Sequence, residues 1–72
     1  QGKHAEAVAH FREALRVKPG WAKLHNNLGS ALLLQGNIDE AVAHFREALR
    51  IQPDYPTAQN NLRDALAMQE RR

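Results

Sequence analysis

A chain of 72 residues can form at most one small domain, and the absence of cysteine excludes disulfides and thiolate metal sites as a source of stability. Ten Lys and Arg against eight Asp and Glu give a formal charge of +2, which is too small to predict a nucleic-acid or membrane partner. No apolar run approaches the roughly 20 residues that span a bilayer, and residues 31–34 are a run of only four. The compartment is left open, with the cytoplasm favoured.

The chain contains an internal duplication with an offset of 34 residues. Residues 1–19 align with residues 35–53, and the block EAVAHFREALR occurs unchanged in both. The segment WAKLHNNLGSALLL, from residue 21, aligns in the same register with YPTAQNNLRDALAM, from residue 55. A period of this length predicts stacked helical units that bury their apolar faces against one another.

The first half of the chain predicts two amphipathic helices. Apolar residues recur at helical spacing over residues 3–17, and Pro19 ends this stretch. Leucines and alanines recur at intervals of three and four over residues 22–34, and Gly36 stands where this second helix breaks. Each helix is therefore expected to reach the next through a tight turn.

The second half predicts two more helices. Residues 37–51 repeat the apolar pattern of the first helix, and Asn37 with Glu40 three residues later resembles a capping box at its start. A fourth helix is expected over residues 56–70, because Pro56 is tolerated in a first helical turn and an apolar stripe follows it. The chain is thus predicted to be all-α, with four helices.

The ordered residues of this pattern match a known repeat motif. They read His25-x2-Leu28-Gly29-x2-Leu32, then Ala41-x3-Phe45, then Pro53. This resembles W-x2-L-G-x2-Y, A-x3-F and P, the pattern of the tetratricopeptide repeat (TPR), with every spacing kept and two aromatic positions changed. The resemblance implies an antiparallel helix-turn-helix solenoid.

The resemblance also assigns a phase to the four helices. Each TPR unit is a helix A followed by a helix B, so this chain runs B, A, B, A. Residues 1–20 then form a partial repeat with a helix B, residues 21–54 a complete repeat, and residues 55–72 a final helix A. Gly29 marks a close approach between helices, whereas Arg63 holds the same position in the last helix. We expect that helix to cap the array and the chain to begin partway through a repeat.

No set of residues in the sequence predicts catalysis or metal binding. Ser30 is the single serine, and the acidic residues are scattered over helix surfaces. The four histidines offer no pair at the spacing of helical metal ligands, so we expect His10 and His44 to be solvated and His4 and His25 to be partly packed. The sequence therefore predicts no enzyme activity, no cofactor and no metal.

Arginines recur on both B helices, at positions 12, 16, 46 and 50. Glu13 and Glu47 precede Arg16 and Arg50 by three residues, a spacing at which opposite charges pair on a helix. Local ion pairs on a solvated face are therefore expected in place of a basic strip for nucleic acid.

The surface of the A helices is the candidate binding site. In TPR arrays these helices line a concave groove, and the resemblance assigns to it the candidates Lys23, Asn26, Asn27, Ser30, Asn60, Asn61 and Asp64. Asparagine is a poor helix former, by roughly 0.5 kcal/mol against alanine, so helix stability does not explain NNL in both A helices. An amide offers a donor and an acceptor, as a peptide backbone does, and can hold an extended peptide without reading its side chains.

Two of these asparagines resemble a known arrangement. Asn27 and Asn61 each precede the consensus leucine, and they resemble the asparagine ladder in the TPR groove of O-GlcNAc transferase, which implies contact with the backbone of a bound peptide. The alternative is that duplication copied the motif, so that two asparagines count as one observation. A clamp around a C-terminal carboxylate fits poorly, because Lys23 and Arg63 are the only cations on the A helices.

The predicted function is a protein-interaction scaffold that presents this groove to an extended peptide or a partner protein. A first alternative is self-assembly, because the first helix has no preceding A helix to cover Val8, Phe11 and Leu15, which are the candidates for a homo-oligomer interface. A second alternative is a regulatory TPR arm of a larger enzyme.

Overall fold

Four helices account for most of the described residues. The computed structural model describes residues 2–72, which form the helices α1 (Gly2–Val17), α2 (Ala22–Leu34), α3 (Ile38–Ile51) and α4 (Pro56–Glu70). Every predicted helix is present with bounds within one residue of those expected, which confirms the all-α prediction. Gln1, the first residue of the duplicated segment, lies outside the described residues.

Gly36 ends α2, as the sequence predicts. Its φ of 87° is a conformation that a residue without a side chain adopts at little cost. The Gly36 N–H donates to the Leu33 carbonyl oxygen at 3.0 Å and the Asn37 N–H to that of Leu32 at 2.9 Å, which together form a Schellman motif. The motif satisfies two of the last carbonyl groups of α2 and turns the chain into α3.

The predicted capping box at the start of α3 is wrong. The Asn37 side chain makes no cap to the helix, and its Nδ2 lies 3.4 Å from Gln35 Oε1. A capping box also needs the Asn37 N–H, which here already donates to Leu32. The Glu40 carboxylate is engaged by another helix, since its Oε2 lies 2.7 Å from Arg12 Nη1.

Pro19 and Pro53 follow α1 and α3 at equivalent positions of the duplication, and each accepts a hydrogen bond from the next helix. His25 Nε2 lies 2.8 Å from the Pro19 carbonyl oxygen, and Gln59 Nε2 donates to the Pro53 carbonyl oxygen at 3.0 Å. The two units thus make the same tether with different side chains.

The helices pack as two layers, with α1 and α3 in one and α2 and α4 in the other. Helix α2 contacts all three other helices, and α3 also contacts α4. Within residues 2–72 the backbones of α1 and α3 make no contact, and the ion pair from Arg12 to Glu40 joins them. The thinnest extent of the molecule is 15 Å, which fits two helices packed at about 10 Å between axes. Because α2 and α4 approach each other more closely than α1 and α3, their layer is the inner side of the curvature.

Phe45 lies at the centre of the larger core. Its side chain is 0% exposed, as are those of Leu28 and Leu32. Gly29 lets the ring lie against the backbone of α2, because a β-carbon there would be 2.6 Å from Phe45 Cε1. The predicted close approach at Gly29 is therefore confirmed. Arg63, at the equivalent position of α4, is exposed.

A smaller core holds α2, α3 and α4 together at their other end. Ala22 of α2, Ala48 of α3 and Ala58 of α4 are buried in one cluster, with Leu49 and Tyr55 packed against it. Small side chains at a contact allow helix axes to approach closely. This smaller core fixes the orientation of α4 against α2. It thereby positions the open faces of these two helices, which are described below.

Helix α2 covers more of α1 than the sequence suggested. Val8 is buried, as is its counterpart Val42. Leu15 is half-buried, and so is its counterpart Leu49. The expectation that Val8 and Leu15 lie on an uncovered face is therefore wrong, since each is covered to the same degree as its counterpart in α3.

Phe11 is the candidate that is less covered than its counterpart in α3. It is half-buried, whereas Phe45 in the identical sequence block is completely buried. Ala7 and Ala14 show the same difference from their counterparts in α3. The partly open face of α1 thus consists of Ala7, Phe11 and Ala14.

This difference predicts unequal costs for one substitution at two matched positions. Phe45→Ala should cost about 3–5 kcal/mol, which approaches the whole stability of a domain this small and should abolish cooperative unfolding. Phe11→Ala should cost less and keep a cooperative transition. Urea denaturation followed by circular dichroism distinguishes the two variants, and a cooperative transition of the same midpoint in both would contradict the packing described.

Candidate peptide-binding surface

The open faces of α2 and α4 carry most of the predicted groove residues. On α2, Lys23 is exposed, and Asn27 and Ser30 are half-buried. Intervals of four and three place these three side chains along one side of the helix. On α4, Asn60 and Asp64 are exposed. We call these two faces together the A-helix face.

Asn61 of α4 is held in place by two side chains of α2. Its Nδ2 donates to Asn26 Oδ1 at 3.0 Å and lies 3.4 Å from Ser30 Oγ. Asn26 is 5% exposed, so its amide is not open to a ligand. The structure therefore corrects the prediction for Asn26, which orients Asn61 and does not line the open surface.

The amide of Asn27 has no such partner. Among residues 2–72 it takes part in no side-chain hydrogen bond, and it is half-buried. Its donor and acceptor are both available, while Asn61 keeps its Oδ1 as an acceptor because the bonds to α2 engage Nδ2 alone. The A-helix face thus presents two amides, one of them held by its neighbours.

The outer layer carries the ion pairs that the arginine spacing predicts. Arg16 pairs with Glu13, and Arg50 pairs with Glu47. The hydrogen bond from Arg50 lowers the pKa of the Glu47 carboxyl and raises the pKa of Arg50. Both pairs are largely exposed to solvent, so they contribute little to stability.

Arg12 forms an ion pair between helices that the sequence did not predict. Its Nη1 lies 2.7 Å from Glu40 Oε2 on α3. The hydrogen bond from Arg12 lowers the pKa of Glu40, against the opposing effect of partial burial. Three of the four arginines on α1 and α3 thus pair with nearby carboxylates, and Arg46 is the one on these two helices without an ion pair among residues 2–72.

Two of the histidines are more buried than expected. His10 is exposed, as predicted, but its counterpart His44 keeps only 21% of its side chain exposed. The His44 ring stacks on His25 with the centroids 5.3 Å apart and the two Nδ1 atoms 3.1 Å apart. His25 is buried, at 8% exposure. Burial and then the charge of His25 lower the pKa of His44.

Two surface depressions are lined by neither Asn27 nor Asn61. One of about 260 Å³ lies at the start of α3 and includes Asp39 and Arg72. The other, of about 450 Å³, lies between His4 and the turn after α2.

Residues 2–72 hold no group of three side chains suited to a metal ion. None of the helices in this part of the chain has the length and apolar character to cross a bilayer.

Comparison with protein families identifies the repeat. Residues 1–56 match the family model described as tetratricopeptide repeat. The chain belongs to the TPR family. A search of curated proteins finds no match. TPR repeats generally mediate protein-protein interaction and are typically non-catalytic. In TPR terms α2 and α4 are A helices, and α1 and α3 are B helices.

The contact between the A helices of this TPR chain predicts a difference between two equivalent asparagines. Asn26→Ala removes the acceptor of the Asn61 amide and should cost about 1 kcal/mol in the free energy of unfolding. Asn60→Ala, at the same position of the next A helix, is exposed and should gain about 0.5 kcal/mol from helix propensity. Urea denaturation gives both values. A loss at position 60 as large as that at position 26 would show that the hydrogen bond to Asn61 contributes nothing.

Proposed function

We propose that the A-helix face binds an extended peptide segment of a partner protein, with Asn27 and Asn61 hydrogen-bonding to its backbone. The observation that carries this proposal is the bond from Asn61 Nδ2 to Asn26 Oδ1 at 3.0 Å. An amide that is already oriented loses less conformational entropy on binding than a free one. The energetic cost of asparagine inside a helix is then offset by a binding role.

The shape of the repeat supports this choice of face. The A helices contact each other, whereas the B helices are joined through an ion pair. A bound chain on the A-helix side would cross both helices at once and could contact Asn27 and Asn61 together. The B-helix side offers paired charges, whose hydrogen-bonding groups are already engaged.

Side chains beside the two amides would select among peptides. Lys23 lies four residues before Asn27, and Asp64 lies three residues after Asn61, both exposed. Charges of opposite sign on the two A helices favour a peptide with an acidic residue near α2 and a basic residue near α4. Ser30 adds a hydroxyl beside Asn61.

Binding to a library of random 12-residue peptides tests the proposal. The double variant Asn27→Ala with Asn61→Ala should weaken binding of selected peptides about tenfold to a hundredfold, because each backbone hydrogen bond contributes about 1 kcal/mol. Asn37→Ala is the matched control, since Asn37 is an exposed turn asparagine without a helix cap. Fluorescence anisotropy measures the dissociation constants.

Circular dichroism of the same variants shows whether the helices are retained. Equal affinity of the double variant and the Asn37→Ala control for every selected peptide would overturn the proposed backbone contacts. Failure of the library to yield any binding peptide would overturn the peptide-binding function itself.

A second candidate function is self-association through α1, favoured by the partly open face at Ala7, Phe11 and Ala14. Their counterparts in α3 are all fully buried by the neighbouring A helix. A second copy that covers this face would bury the same side chains. Sedimentation equilibrium at high micromolar concentration should then show dimers that Phe11→Ala weakens, and a stable monomer would contradict this function.

A further inference from the structure

The histidines that join α2 to α3 are linked by two hydrogen bonds and face one carboxylate. His25 Nε2 lies 2.8 Å from the Pro19 carbonyl oxygen, and His25 Nδ1 lies 3.1 Å from His44 Nδ1. On the far side of the pair, His44 Nε2 lies 3.8 Å from Glu40 Oε2. These contacts thus run from the turn before α2 to the first turn of α3.

The first bond fixes where the proton of His25 lies. A carbonyl oxygen only accepts hydrogen bonds, so His25 Nε2 must carry a hydrogen. The equivalent tether in the next unit supports this assignment, because there Gln59 donates an amide N–H to Pro53. A neutral His25 therefore has its lone pair on Nδ1, facing His44.

The second bond limits how many protons the pair can hold. With His25 neutral, His44 must donate from Nδ1, and its Nε2 is free to take one extra proton towards Glu40. A second extra proton could enter only at His25 Nδ1. Two N–H groups would then face each other across 3.1 Å, and two cationic rings would stack with centroids 5.3 Å apart.

We propose that His25 and His44 form a pH-sensitive joint between α2 and α3, which is intact with no extra proton or one and opens when both rings are protonated. The charged groups around the pair are Glu40 and Glu47 on α3 and Arg12 on α1. Glu40 favours the first added proton, and Arg12 opposes it. This inference does not depend on peptide binding by the A-helix face.

The joint makes the folded protein less stable as the pH falls. The unfolded chain protonates both histidines as the pH falls below about 6.5, whereas the intact joint holds at most one added proton. The unfolded state then binds more protons, so stability is fully present above that pH and is lost as the pH falls. Each proton of difference raises the unfolding equilibrium constant about tenfold per pH unit. The lowered pKa of His44 agrees with this direction.

Urea denaturation between pH 7.5 and 5.0 tests the joint with three glutamine variants. His25→Gln introduces the residue that the chain itself uses at position 59, so the tether to Pro19 can persist while the proton limit is removed. His44→Gln removes the other ring. His10→Gln is the matched control, because His10 is the exposed counterpart of His44.

The wild type and His10→Gln should show a steeper rise of the unfolding equilibrium constant with acid than either joint variant, by up to about tenfold per pH unit. The same slope in His25→Gln as in the wild type would overturn the proposal. Ring ¹⁵N chemical shifts of the folded wild type give an independent test that needs no variant. Detection of both rings doubly protonated in the folded protein would overturn it as well.

Discussion

The contact between the Phe45 ring and the backbone of Gly29 is the constraint on which the rest of the structure depends. The ring is completely buried, and it occupies the space that a β-carbon at position 29 would need. This contact sets the distance between α2 and α3. That distance in turn allows Ala48 to meet Ala22 and Ala58 at the other end of the helices, and it brings the His44 ring onto His25.

The two faces of the molecule follow from the same packing. Because α4 packs against both α3 and α2, the A helices come into contact and Asn61 reaches Asn26. The B helices have no such contact and rely on charge, through Arg12 and Glu40. A hydrogen-bonded amide surface therefore lies on one side, and a surface of paired charges on the other. This asymmetry is the basis for proposing that a peptide binds the A-helix face.

Sequence periodicity predicted the helices and their order because it reflects local geometry. Residues three or four apart lie on one helix face, so the buried stripes and the turn at Gly36 could be derived without knowledge of tertiary contacts. The wrong predictions depended on those contacts. The predicted capping box at Asn37 does not form, because the Asn37 N–H donates to Leu32 and Glu40 pairs with Arg12.

The duplication itself concealed the remaining differences. His10 and His44 occur in identical sequence blocks, but only His44 has an A helix on both sides, so their burial differs. Spacing did not separate the two, because His10 lies between Ala7 and Ala14 at the same intervals of three and four. The bond between Asn61 and Asn26 joins residues 35 positions apart, and local spacing does not predict it.

A double-mutant cycle between positions 29 and 45 tests the central constraint most directly. Phe45→Val removes the three ring atoms nearest to Gly29, and sucrose at one fixed concentration keeps all variants folded by favouring the compact state. In the wild-type background Gly29→Ala should cost about 1–2 kcal/mol, because overpacking exceeds the gain in helix propensity.

In the Phe45→Val background the same change should cost nothing, or should stabilise by up to about 1 kcal/mol. Gly20→Ala, where an added β-carbon meets no atom within 4 Å, is the control and should show no coupling to position 45. An equal cost of Gly29→Ala in both backgrounds would contradict the account.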